Sequence, residues 1–167
     1  DYRAELYAAL SPLRIALAES GRIDSAIAVS RRMVEGNGAL LRDDPRNAIL
    51  RRNLAVSYRA LGRDLGSAGR AADAVEAQRR SVALTDSLVA TDPASGGHRA
   101  DRVFALTLLG DAELAAGDAR AALASYRRAA PLGEAILRAD PDSGSPLDRL
   151  VLARAGLGDA LAAAGDG

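Results

Sequence analysis

At 167 residues with 49% hydrophobic side chains the chain is long enough to bury a core, and with no Cys that core has no disulfide framework. Its 22 basic and 22 acidic residues leave a formal charge of +0, which argues against nucleic acid as a partner, because phosphate binding draws on a basic excess. No apolar run approaches the roughly 18 to 20 residues of a membrane-crossing helix, and the first residues lack a charged-then-apolar secretion pattern.

The dipeptide Asp-Pro stands at residues 44–45, 92–93 and 140–141, at an ungapped interval of 48 residues. Other columns keep the same step: Leu13, Leu61, Leu109 and Leu157; then Gly62, Gly110 and Gly158, with Arg14 in the first place; then Gly21, Gly69, Gly117 and Gly165. Ala26, Ala74 and Ala122 form another column, followed by Ile27, Val75 and Leu123, and an arginine pair recurs at 31–32, 79–80 and 127–128. The chain therefore reads as a repeat array with a partial unit 1–44, full units 45–92 and 93–140, and a half unit 141–167.

Taken along the chain, each unit resolves into a helix A, a glycine turn and a helix B, for about seven helices in antiparallel pairs. The first unit opens inside a helix A that ends near Gly21, and its helix B carries Gly36-Asn37-Gly38, which predicts a bend or an interruption. In the second unit Leu50, Leu54, Tyr58, Leu61 and Leu65 share one helical face as far as Gly69. Its helix B, with Ala74, Val75, Leu84, Leu88 and Val89, is expected to run straight to the Asp92-Pro93 stop. Ser95-Gly96-Gly97-His98 predicts a third helix A delayed to about residue 98. The following helix B holds Pro131 and Gly133, which predict a second bend or interruption. Ser145-Pro146-Leu147-Asp148 offers an N-cap, a first-turn proline and an acidic residue for the last helix A. That helix is apolar at Leu147, Leu150, Val151, Leu152, Leu157 and Leu161, more than a single buried face requires, so an assembly through terminal helices is one expectation.

These residues resemble the tetratricopeptide repeat family. The resemblance lies in Leu61-Gly62, Leu65, Gly69, Ala74 and Ala77-Gln78, and more fully in Leu109-Gly110-Asp111, Gly117-Asp118, Ala122, Tyr126 and Ala129; Leu157-Gly158-Asp159, Leu161 and Gly165-Asp166 repeat its first half. It covers nearly the whole chain, although the period of 48 exceeds the family's about 34 and Asp86 and Glu134 stand where the family closes helix B with proline. The resemblance implies an all-α, right-handed solenoid of antiparallel helix pairs acting as a non-catalytic protein-interaction module. The long units, Asp-Pro corners and Arg-only surface also look like the regions that follow the catalytic domain in large bacterial serine/threonine protein kinases. The absence of Lys among the 22 basic residues fits a GC-rich, bacterial coding sequence.

The inventory speaks against an enzyme: there is one His, no Cys, no phosphate-binding glycine loop and no metal-ligand spacing, so neither cofactor nor metal is expected. His98, with Asp101 and Ser95 near it in sequence, reads as a helix-start residue. In the family the A helices line the concave face. Carrying its groove positions over gives Val56, Arg59 and Arg63, then Phe104, Thr107 and Asp111, then Leu152 and Asp159 as the expected contacts of a protein or peptide. Arg59 and Arg63 suit a carboxylate or phosphate, or else pair with Asp64 or Asp111 as surface arginines do. Phe104 reads equally as a groove anchor or a core-edge residue. Two alternatives to docking stay open, a self-assembly element and a small-ligand or peptide sensor using the groove. The compartment stays open between cytoplasmic and, if the array follows a membrane span in a parent kinase, extracytoplasmic.

Overall fold

The computed structural model describes residues 7, 9–139 and 165. They form six helices and, among the described residues, no strand. Helix α1 spans Leu10–Glu19, α2 Ile23–Asp43, α3 Ala48–Ser67, α4 Ala71–Thr91, α5 Gly96–Ala115 and α6 Ala119–Ala139. The chain makes two compact units, Asp1–Leu84 and Thr85–Gly167. In the first, α1 packs on α2 and α2 on α3; in the second, α5 packs on α6. Among the described residues no helix is long and apolar enough to cross a membrane.

Three helices end in one geometry. Gly21, Gly69 and Gly117, just past α1, α3 and α5, have φ of 76°, 71° and 82°, and Gly165 has 77°. The N–H of the residue after each glycine reaches back five positions, from Arg22 to the Leu17 carbonyl, Arg70 to Leu65 and Asp118 to Glu113. This Schellman bond satisfies carbonyls that the helix end leaves open. A Cβ built at these glycines meets no atom within 4 Å, so the column is held by backbone conformation and not by space.

The Asp-Pro corners also repeat. The Asn47 N–H donates to the Asp44 carbonyl and the Ser95 N–H to that of Asp92. Asn47 Oδ1 then accepts from the Ile49 and Leu50 N–H groups at 3.1 Å, and Ser95 Oγ from the His98 N–H at 3.2 Å. These caps answer the orphan donors of α3 and α5. With Ser95 in place α5 begins at Gly96, earlier than the expected start at about residue 98. The expected cap at Ser145 lies outside the described residues.

Neither helix B is interrupted at its expected breakers. Helix α2 continues through Gly36-Asn37-Gly38, and α6 through Pro131 and Gly133. In α2 the Tyr7 ring lies so close to Gly36 that a Cβ there would collide with it. Asn37 is buried and bonded across to α3. Tertiary packing thus offsets the roughly 1 kcal/mol that each interior glycine costs a helix. Pro131 is exposed and removes one ladder bond, while Ala129 and Gly133 beside it remain buried and keep α6 against its neighbours.

A second pair of columns explains the seams. Position 14/62/110 lies on the helices before the glycine turn, and position 30/78/126 on those after it. A Cβ at Gly62 would lie 2.8 Å from Gln78 Cδ, and one at Gly110 would lie 2.6 Å from Tyr126 Cε1. In the first pair the sizes are exchanged. Ser30 is the small member and Arg14 replaces glycine, and both converge on the buried Asp64: Arg14 Nη1 lies 2.7 Å from Oδ1, and the Ser30 hydroxyl donates to Oδ2. The departure of Arg14 from the glycine column is therefore matched by a change in what faces it.

Candidate functional site

The first unit contains a cleft of ≈ 100 Å3 bounded by Tyr7, Ser11 of α1, Met33 and Asn37 of α2, and Asn53, Val56 and Ser57 of α3. Met33, Asn37 and Ser57 are buried and form its floor; Tyr7, Ser11, Asn53 and Val56 are half-buried and form its rim. Gly36 is what allows the Tyr7 ring to close down over α2. None of these seven side chains is charged.

The floor has a defined polarity. Ser57 Oγ donates its one hydrogen to the Asn53 carbonyl at 2.8 Å, so toward Asn37 it acts as an acceptor. Asn37 Nδ2 donates to it at 3.0 Å. This fixes the amide orientation and leaves Asn37 Oδ1 buried with no partner among the described residues. Such an acceptor costs about 1 to 3 kcal/mol while no donor reaches it, and a buried polar atom of this kind calls for an explanation in a folded protein. Because the lining is neutral among the described residues, the cleft suits an uncharged hydrogen-bond donor; an ion would lose hydration and meet no counter-charge from them.

Of the expected groove residues, Val56 is on the rim of this cleft. Arg59 is half-buried, and its carbonyl accepts from Gln78 Nε2 at 3.3 Å. Arg63 is exposed. Both oxygens of Asp64, a candidate partner for those arginines, receive bonds from Arg14 and Ser30. Phe104 is half-buried, whereas Thr107 is only 2% exposed and spends its hydroxyl on the Val103 carbonyl, so it belongs to the interior of the second unit. Asp111 accepts from the Tyr126 hydroxyl. Partial burial of its carboxyl pushes it above the ordinary carboxylate range, and the Tyr126 bond pulls the other way. Leu152 and Asp159 lie outside the described residues, as do the apolar residues expected to form the last helix A.

Several other charged groups form ion pairs. Asp86 sits 2.6 Å from Arg102 Nε and 3.3 Å from Arg128 Nη2. Arg80 of the recurring arginine pair meets Glu76 at 2.9 Å, and the three pairs are exposed. Ser125 donates to the buried Glu113 at 2.7 Å. His98 is half-buried in the first turn of α5.

No family model matches the chain, and no curated protein matches it. The cleft residues Tyr7, Met33, Asn37, Asn53 and Ser57 were not legible as a site. A signal did exist in Gly36-Asn37-Gly38, where a polar residue between two glycines marks close approach as well as a helix break, but choosing between the two requires knowing what packs against it.

Proposed function

We propose that the chain is a right-handed solenoid of tetratricopeptide type that serves as a non-catalytic docking module for a protein or peptide. The observation that supports this most is the recurrence of one glycine turn, with the same left-handed φ and the same five-residue back-bond, after α1, α3 and α5 at the sequence period of 48. In repeat arrays, helix pairs that stack on their neighbours offer extended surfaces suited to docking. The docking residues in this reading are Val56, Arg59 and Arg63 of the first unit and, taken separately, Phe104 and Asp111 of the second. A bacterial signalling kinase is the setting that its sequence resemblance suggests.

The test is a comparison of captured partners. The chain and an Arg59→Glu/Arg63→Glu variant are immobilised and exposed to a bacterial lysate, with Arg79→Glu as a control on helix α4. A stoichiometric partner lost from the groove variant and kept by the control is the expected outcome. Equal capture by all three, or none by any, refutes the docking role.

A second reading, a sensor for a small ligand or a short peptide, draws support from the neutral cleft and its orphan acceptor. The two readings differ in what is bound and meet at Val56, which lines the cleft.

A further inference from the structure

We propose that the cleft bounded by α1, α2 and α3 binds an uncharged carboxamide, the end of a Gln or Asn side chain in a docked peptide, with Asn37 Oδ1 as the acceptor of its N–H. The proposal rests on the groove reading above and narrows it: Val56 is a groove residue, and Ser11 stands one period of 48 before Arg59.

Three properties select this chemistry. The first is the orphan acceptor. Ser57 and Asn53 fix the Asn37 amide so that its oxygen, in a side chain only 3% exposed, lacks a donor among the described residues, and an incoming N–H supplies one. The second is neutrality. A carboxylate of the same shape brings no hydrogen for Asn37 and carries a charge into a lining whose described residues have none to oppose it; an ammonium has hydrogens but the same unbalanced charge. The third is size. A cavity of about 150 Å3 holds benzene, so ≈ 100 Å3 suits a group of about four heavy atoms, the size of acetamide and of the end of a Gln side chain. Met33, Val56 and the Tyr7 ring offer apolar surface for the aliphatic stem, and the Ser11 hydroxyl on the rim offers a donor for the carbonyl.

The experiment titrates the isotopically labelled full chain with acetamide, acetate, and blocked Ala-Gln-Ala and Ala-Glu-Ala peptides, following backbone and side-chain amides by nuclear magnetic resonance. Saturable shifts at Ser11, Val56 and the Asn37 side chain with acetamide and the Gln peptide, and none with acetate or the Glu peptide, are expected. Tighter binding of the Gln peptide than of acetamide identifies a peptide side chain as the source. A stronger response to acetamide overturns that source. Asn37→Leu is expected to abolish the shifts. Val56→Trp, which blocks the rim and leaves the Asn37–Ser57–Asn53 chain of bonds in place, is expected to do the same in a fold that stays intact. Absence of shifts, equal shifts with acetate, or shifts that survive Val56→Trp overturn the proposal. Because the capture experiment perturbs Arg59 and Arg63 and this one perturbs Asn37 and Val56, either is able to fail without the other.

Discussion

Gly110 lies directly under the Tyr126 ring, with room for hydrogen and none for a methyl group: a Cβ there would sit 2.6 Å from Tyr126 Cε1. Gly110→Ala is expected to destabilise the protein by about 1 to 3 kcal/mol, because a buried ring has to move. Gly66→Ala, where the nearest atom is the Ala74 methyl at 4.0 Å, is expected to stabilise α3 by about 0.5 to 1 kcal/mol through backbone entropy. Urea melts of the two variants check both signs, and a Gly110→Ala protein as stable as the parent would falsify the packing assigned to this seam.

The Arg14–Asp64 pair is mostly buried, with side chains 11% and 3% exposed. Asp64→Ala leaves the guanidinium and the Ser30 hydroxyl without their common acceptor and is expected to cost about 3 to 5 kcal/mol. A double substitution, Arg14→Met with Asp64→Leu, is expected to recover most of that loss, since apolar replacements of a buried pair are often neutral. If the double variant melts no higher than Asp64→Ala, the pair is not the reason for the loss.

Ala74 and Ala122 are fully buried at the start of α4 and α6, so a leucine at either position overpacks the interface by about 1 to 3 kcal/mol. Arg79→Ala, on an exposed position, is expected to stay within about 0.5 kcal/mol of the parent. Thermal melts in the reverse order would contradict this division into buried and exposed columns.

Pro131 interrupts the hydrogen-bond ladder of a helix that nevertheless continues to Ala139. Pro131→Ala restores the missing N–H at an exposed site and is expected to raise stability by about 1 to 3 kcal/mol. A melting temperature equal to or below the parent's would mean that α6 bends there to advantage.

Asp111 holds its proton more tightly when folded, chiefly because its carboxyl is partly desolvated. The folded state then binds more protons than the unfolded chain just above the ordinary value of 3.8, so the stability contributed by this group is complete below that value and is lost as pH rises through the folded one. Asp111→Asn, neutral throughout, avoids the loss while keeping an acceptor for Tyr126. Between about pH 3 and about pH 6 the melting temperature of the variant is expected to gain on that of the parent. A difference constant with pH would refute the assignment.

Much of the fold was legible beforehand. The 48-residue step located the glycine turns, and Gly21, Gly69 and Gly117 have the left-handed φ that a helix end of this kind requires. The burial of Leu50, Leu54 and Leu65 follows from their spacing on one face. The breakers misled for a physical reason. Gly36 and Pro131 disfavour a helix in isolation, but the Tyr7 ring packed on Gly36 and the buried neighbours of Pro131 outweigh a local preference.

The sequence by itself determined that helices recur, where they end and which small residues line their seams, because these depend on backbone conformation and on short-range periodicity. Only tertiary structure decided that Ser30 and Arg14 exchange sizes around Asp64, and that Tyr7, Met33, Asn37 and Ser57 meet at one cleft. Those contacts join residues 20 to 50 positions apart, as from Asn37 to Ser57 and from Arg14 to Asp64. No local pattern encodes which side chain ends at which hydrogen-bond partner, since that is fixed by how the helices pack and by the bonds that buried polar atoms must then find.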